Sequence, residues 1–246
     1  LRHTTINALL RCPAYYELVY IRRVETLVKP VLFLGGTAHY ALAEGYRRKI
    51  AGVSTSVEEL ADIFSAAWDR EAHLEDEEHP REIDWRDEDR GELKDTGIAL
   101  VSVYWRDIQP KVEPMEVEMS LRRDLDGVTL TGRVDLLTRA GELIDHKTGA
   151  RAPSEDEILR NLQPTIYALL LGGPTRGAYH YLLKQKVPRC LVVPFERSQE
   201  ELSWFRERVL PGVVGMIKSG SFPANPTSWL CSPKTCDVWY TCRGLR

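Results

Sequence analysis

Residues 132–149 read GRVDLLTRAGELIDHKTG. Two apolar-rich runs flank Ala140-Gly141, so the stretch predicts a β-hairpin with strands over 127–139 and 141–149. The second strand opens with Leu143 and Ile144, which suit a buried sheet, and then places Asp145, His146 and Lys147 in succession. Charges at the end of an apolar strand cost stability unless something bound there offsets them. Folding about residue 140 brings Asp135 beside Asp145, and strand alternation puts Lys147 on the same face. Two carboxylates and an ammonium converging there can take a hard divalent cation, Mg²⁺ or Mn²⁺, through oxygen. The lysine can then orient a water and stabilise charge on a phosphate. The plain alternative is an exposed hairpin with a cross-strand Asp–Lys pair, worth ~0.2–1 kcal/mol. On these three residues alone the two readings stand level.

On either side of the hairpin the pattern stays α/β. PMEVEMSLRRDL at 114–125 reads as a strand before it. PSEDEILRNLQPTIYALLLG at 153–172 reads as a helix with a capping-box start at Ser154 and Glu157, kinked or restarted at Pro164. Gln163 and Tyr167, four apart on that helix, share a face that a crossover would pack over the hairpin end. Two more strands, 177–185 and 189–197, precede a C-terminal helix over 198–218. Upstream, the spacing of Leu9, Leu10, Tyr16 and Leu18 is helical and interrupted at Pro13. Residues 34–52 predict a helix with a Gly-rich entry, and 57–70 an amphipathic helix carrying Leu60, Ile63, Phe64, Ala67 and Trp68 on one face. Residues 71–92 hold eleven acidic side chains and read as a solvated loop, followed by a weaker helical segment over 93–108. No repeat or low-complexity linker divides the chain, so a single domain over 1–246 is expected.

The 246 residues, 43% of them apolar, can bury a substantial core, as one α/β domain or a domain with a small appendage. No apolar run approaches the roughly eighteen residues of a membrane helix. The first residue is Leu1, so some N-terminal sequence is expected to be missing. The net charge of −3 and pI near 6.1 lack the basic excess usual in nucleic-acid binders. Short basic runs at 21–25 and 46–49, and Lys184, Lys186 and Arg189, read as solvated faces. Five cysteines, at 12, 190, 231, 236 and 242, make a poor disulfide framework and better suit an intracellular metal or cluster site.

Taken in order, GRVDLL at 132–137, LIDHKTG at 143–149 and LQPTIYALLL at 162–171 resemble the PD-(D/E)XK nuclease superfamily. The nearest branch is the RecB-like iron–sulfur exonuclease group, which includes CRISPR-associated and phage-type enzymes. The resemblance implies a restriction-endonuclease-like core, a central mixed β-sheet flanked by helices. It assigns His39 to the histidine of a Gly-rich segment, Glu116 to the acid before the catalytic strand, Asp145-His146-Lys147 to the acid-x-Lys motif, and Gln163 and Tyr167 to the Gln-xxx-Tyr helix. In that scheme Asp135 and Asp145 hold the metal with the main-chain carbonyl of His146. His39 completes the set, its nitrogen favouring Mn²⁺ over Mg²⁺. Lys147 positions the attacking water, and Gln163 and Tyr167 steady the site or touch the phosphate backbone. The implied activity is metal-dependent hydrolysis of DNA, as an exonuclease on ends or single strands. The implied setting is the cytoplasm of a prokaryote or phage-infected cell, with other DNA-processing proteins as partners and no membrane.

Cys231, Cys236 and Cys242 follow a C-x₄-C-x₅-C spacing and need a fourth thiolate to close a [4Fe–4S] cluster or a zinc site. Cys190 falls in an expected strand, where a small buried thiol needs no function. Cys12, followed by Pro13, matches the cysteine that the iron–sulfur branch carries in its first helix. The resemblance therefore implies a structural [4Fe–4S] cluster on Cys12, Cys231, Cys236 and Cys242, tying the tail to the N-terminal helix. Many members have two residues where this chain has four between Cys231 and Cys236, which keeps zinc as the alternative. Two other functions compete. A non-catalytic nucleic-acid-binding or scaffold subunit of the same fold would have lost an acid or the lysine, and none is missing. An electron carrier would hold its cluster ligands close in sequence and lack the carboxylate hairpin.

Overall fold

The computed structural model describes residues 1–71 and 82–245. Ten residues of the acidic stretch expected as a solvated loop, 72–81, lie outside the described residues. The chain begins with α1 (His3–Arg11) and α2 (Pro13–Tyr16), continued by a π-helical turn over Glu17–Ile21. Pro13 lacks an amide proton and its ring blocks helix continuation, so α1 stops at Arg11 and Pro13 starts the next turn. Helix α3 (Pro30–Ile50) starts earlier than the sequence suggests, with Pro30 in its first turn. Gly35 and Gly36 thus lie inside the helix and not at its entry. A Cβ on Gly35 would sit 3.0 Å from Thr148 Oγ1, so the small residue lets α3 lie close against the sheet. Helix α4 (Val57–Arg70) opens with a capping box between Ser56 and Glu59 and buries Leu60, Phe64, Ala67 and Trp68. Helix α5 (Arg90–Asp107) is capped by Asp89, whose carboxylate accepts from the Glu92 amide.

Five strands follow: β1 (Pro114–Leu125), β2 (Val128–Thr138), β3 (Leu143–Gly149), β4 (Thr175–Leu183) and β5 (Arg189–Arg197). They form one sheet in chain order, antiparallel throughout except for the parallel β3–β4 pair. A parallel pair requires a crossover, and α6 (Glu155–Leu159) and α7 (Gln163–Leu171) supply it. Pro164 restarts the helix, separating α6 from α7 and setting Gln163 at the new N-terminus. The chain then runs through α8 (Gln199–Trp204), a π-helical turn over Phe205–Val209, α9 (Leu210–Ser219) and, near its end, α10 (Trp239–Cys242).

The sheet is covered on both faces, the arrangement a mixed sheet needs to bury its two apolar sides. On one side Leu136, Ile144 and Leu182 pack with Phe33, Leu42 and Phe64 and their neighbours on α3–α5. On the other, Leu130, Val134, Leu143, Tyr179 and Phe195 pack with α1, α7, α8 and α9. This is the mixed α/β sheet expected of a restriction-endonuclease-like fold. Buried Arg197 fastens the crossover to β5. Its Nε donates to Thr165 Oγ1 at 3.0 Å, and Nη2 donates to the main-chain oxygens of Asn161 (2.9 Å) and Ile158 (3.2 Å). The start of α7, and with it Gln163, is thereby tied to the sheet.

The parallel junction depends on a residue without a side chain. Gly177 stands opposite Leu143, and a Cβ there would fall 2.2 Å from the Leu143 carbonyl oxygen and 2.8 Å from the Phe195 ring. Backbone cannot yield as a flexible side chain can. Gly177→Ala is expected to destabilise the protein by about 1–3 kcal/mol, read as a lower midpoint in chemical denaturation with an unchanged slope.

Candidate active site

The β2–β3 ladder contains only the pairs Leu137–Leu143 and Leu136–Ile144. Beyond them the two strands separate, and the next amide of β3 would lack its backbone acceptor. The Asp135 carboxylate takes its place, accepting from the His146 N–H at 2.7 Å. A carboxylate fixed this way is aimed into the opening between the strands. On its other side His39, carried by α3, places Nδ1 3.3 Å from Asp135 Oδ2.

Glu118 completes this group. It lies between the β1–β2 pairs Val117–Leu136 and Met119–Val134, hence opposite Asp135, in a left-handed backbone conformation with φ of 54°. That conformation is strained for a residue with a Cβ. Single ligand atoms of His39, Glu118 and Asp135 all lie within 4.8 Å of one another. Glu116, the acid expected here, is exposed opposite Leu137 and stands outside the group. Both acids have the same strand parity, so alternation cannot choose between them; the register with β2 does. The acid that the structure brings to this group is Glu118.

Asp145 is buried beside this trio but is held by a different set of partners. Its Oδ1 accepts from Gln163 Nε2 at 2.6 Å. Its Oδ2 pairs with Lys147 Nζ at 2.6 Å and has no other partner among the described residues. Lys147 Nζ donates to Gln163 Oε1 at 2.8 Å, so Gln163 spans the acid and the amine. Gln163 Nε2 also donates to the Tyr167 hydroxyl at 2.7 Å, and that hydroxyl donates to the Arg133 carbonyl at 2.8 Å. Tyr167 lies 3.3 Å from Asp145 Oδ1, a longer contact than either. The helix pair Gln163–Tyr167 therefore bolts the end of β3 to β2. Asp145 does not enter the close His39–Glu118–Asp135 group; it faces Lys147 and keeps one buried oxygen with lone-pair capacity.

The fields in the site oppose one another. Burial favours the protonated form of Asp135, but His39, His146 and Lys147 outweigh it and hold the carboxyl well below its ordinary range. Burial dominates at Asp145, which is pushed up to about 6 against the pull of Lys147. Lys147 loses solvation too, yet Asp145 and Asp135 more than offset this and keep it a cation. His39 is likewise raised, its burial outweighed by Asp135. Glu118 is raised by burial and by Asp135, with Arg133 pulling the other way.

Several groups around the site have no counterpart in the sequence reading. The His146 imidazole turns away from solvent, and its Nε2 lies 3.0 Å from the Tyr104 hydroxyl. That hydroxyl also meets Tyr46 Oη at 2.9 Å and His180 Nδ1 at 2.9 Å, making a buried hub beneath β3 and β4. Burial pushes His146 down to about 3 and His180 to about 4, so both rings are neutral. His3, on α1, stands edge-on to Tyr167 with ring centres 6.3 Å apart. Only Tyr46, seven residues after His39 on one helix face, had a signal in the sequence; the others meet through tertiary packing.

The tail does return to the N-terminal helices. Ala14 donates to the Pro223 carbonyl, Asn225 Nδ2 donates to the Arg11 carbonyl at 3.0 Å, and Lys29 pairs with Asp237 at 3.6 Å. Cys236 lies within electrostatic reach of Cys12 and Cys242, although burial is the main cause of its raised thiol pKa. No three thiols close to within 4.8 Å among the described residues, whereas one tetrahedral zinc with 2.3 Å bonds needs sulfurs about 3.8 Å apart. The four thiols are thus wider apart than one bound zinc would hold them, and hydrogen bonds and an ion pair also join the two ends. Cys190 packs from β5 against the α3–α5 side of the core.

With this geometry in view, comparison with known proteins is informative. A family model described as the PD-(D/E)XK nuclease superfamily matches residues 2–243. Curated proteins give no match. Among solved structures, a protein of Eubacterium rectale described as a candidate exonuclease is 13% identical, with all of this chain aligned to 87% of that one and a TM-score of 0.60. At that identity the likeness bears on fold alone. The structure of SSO0001, 15% identical over 92% of this chain and 89% of that one, has a TM-score of 0.36 and carries no argument. An acid set into the opening of a hairpin, an acid-x-Lys strand and a Gln-xxx-Tyr helix, on a sheet matched by the family model from one end to the other, lead to one statement: this chain belongs to the PD-(D/E)XK nuclease superfamily.

Proposed function

We propose that the chain, working as one nuclease domain over 1–246, is a Mg²⁺- or Mn²⁺-dependent deoxyribonuclease that removes nucleotides from DNA ends or single strands. The observation that carries this reading is the placement of Lys147 Nζ. It stands 2.6 Å from Asp145 and 2.8 Å from Gln163, on the strand next to the His39–Glu118–Asp135 group. Family membership supports hydrolysis of a phosphodiester, and the Eubacterium rectale protein that shares the fold carries the description of a candidate exonuclease. The cysteines are all free, which suits a reducing cytoplasm. No helix among the described residues is long and apolar enough to cross a membrane.

The residues present fit a divalent ion. Two carboxylates and an imidazole nitrogen converge, and a further buried carboxylate oxygen, Asp145 Oδ2, has the Lys147 ion pair alone. The His146 amide points at Asp135, and on a strand the carbonyl of the same residue points the same way, which supports its main-chain oxygen as another ligand. An ion held there would lower the pKa of a bound water and draw charge from the phosphate. The nitrogen of His39 tilts the preference toward Mn²⁺. Lys147 is a cation and has no lone pair to accept a proton. Its role is to orient water and to meet negative charge on the phosphate, with Asp145 and Gln163 fixing its direction. Tyr167 and Gln163 hold that geometry.

Two measurements test the reading. With Mn²⁺ and end-labelled DNA, Lys147→Ala and Asp135→Asn should each slow cleavage on the order of 10²–10³-fold. Wild-type protein that leaves both single- and double-stranded DNA intact would defeat the proposal. In thermal unfolding, Mn²⁺ at a hundredfold excess over its Kd should stabilise the protein by about 2.7 kcal/mol. Glu118→Gln should lose most of that gain, and Glu116→Gln should keep it. The gain should shrink as the pH falls through about 6, because Asp145 takes up a proton there in competition with the metal, and His39, raised by Asp135, takes up its own at higher pH still. Equal losses in the two glutamate variants would contradict the assignment of Glu118.

A further inference from the structure

Arg133 occupies an unusual position at the mouth of the site. It lies on β2 two residues before Asp135, so its side chain projects from the same face of the strand. Its side chain is 66% exposed, whereas Glu118, its ion-pair partner across the strand, is only 16% exposed. Arg133 Nε approaches Glu118 Oε2 to 2.6 Å, and the guanidinium makes no other ion pair or side-chain hydrogen bond among the described residues. Most of its N–H donors therefore face solvent beside the metal-capable group, in the fork geometry that suits a phosphate.

Glu118 cannot serve two cations equally. With Oε2 turned to Arg133, the carboxylate is partly neutralised, and a positive charge sits next to where a divalent ion would bind. Both effects weaken metal binding. A phosphodiester engaging the exposed face of the guanidinium would neutralise that charge and compete with Glu118 for the same donors. The freed carboxylate then turns to the metal.

We propose that Arg133 binds a phosphate of the nucleic-acid backbone and, through its pairing with Glu118, couples occupancy of that phosphate site to occupancy of the metal site. The inference rests on the nuclease reading for the identity of its ligand and adds a substrate-contact residue and a thermodynamic link to it. Coupling of this kind is reciprocal: whatever factor the nucleic acid adds to metal affinity, the metal adds to nucleic-acid affinity.

The test uses Mn²⁺ titration followed by electron paramagnetic resonance on wild type, Arg133→Ala and Arg133→Gln. Each is measured alone and with a hydrolysis-resistant single-stranded oligonucleotide whose bridging oxygens are replaced by methylene. Without oligonucleotide, both variants should bind Mn²⁺ on the order of tenfold more tightly than wild type. The ratio of Mn²⁺ dissociation constants without and with oligonucleotide should fall in both variants, again on the order of tenfold. Because Arg133 is exposed and makes one ion pair, both variants should fold, and the glutamine keeps the bulk of the side chain. Variants that bind Mn²⁺ no more tightly than wild type overturn the proposal, and so does an unchanged ratio. Neither readout involves cleavage, so an inactive wild type that still shows the link would remove the nuclease reading and leave this one standing.

Discussion

The site is organised by one backbone amide that has lost its ladder partner. Where β2 and β3 part after Leu136–Ile144, the His146 N–H would be left unpaired at a position close to the core, and an unmade bond of that kind costs about 1–3 kcal/mol. Asp135 supplies the acceptor. The same bond fixes the carboxylate, holds the strands at their separation and leaves room between them for a reacting group. Removing the acid therefore changes more than charge, because it reopens the question of how β3 is held.

The charges of the site tolerate burial because each has a partner on a different element. Asp135 answers to His39 on α3, Asp145 to Lys147 on its own strand and Gln163 on α7, and Glu118 to Arg133 across the β1–β2 pair. Those elements are in turn fastened by groups with no chemical role. Arg197 ties the start of α7 to β5, and Pro164 sets the point at which that helix begins. Gly35 lets α3 come close enough to present His39. Stability spent on uniting carboxylates is recovered in this surrounding frame, which explains why the covering helices are so thoroughly apolar toward the sheet.

How much of this the sequence disclosed follows from the range of each rule. Alternation along a strand and the four-residue repeat of a helix are local, and they placed Asp145 with Lys147 and Gln163 with Tyr167 correctly relative to each other. Pro164 as a restart was equally local. Selection between Glu116 and Glu118 was beyond reach, since both share one parity and only pairing with β2 distinguishes them. Arg133 looked like an ordinary strand arginine, and His3, Tyr104 and His180 meet the site only after distant segments pack. The early start of α3 was hidden because paired glycines read as a helix boundary when the surface they must approach is unknown. The cysteine spacing pointed to a junction of the two ends, and the structure joins them through contacts of Pro223, Asn225 and Asp237.

The hub on Tyr104 has a consequence for hydrogen atoms. One phenol oxygen has a single hydrogen to give and two lone pairs to receive, and here it faces three groups. His146 Nδ1 lies 3.7 Å from Asp135 Oδ2, which favours the hydrogen on that nitrogen and leaves Nε2 bare. Tyr104 must then donate to His146, and both Tyr46 and His180 must donate to Tyr104. A single arrangement satisfies every member, so the tautomers of two imidazoles on adjacent strands are chosen together by a phenol on a helix. The His146 ring on β3 is thereby locked in orientation by buried partners.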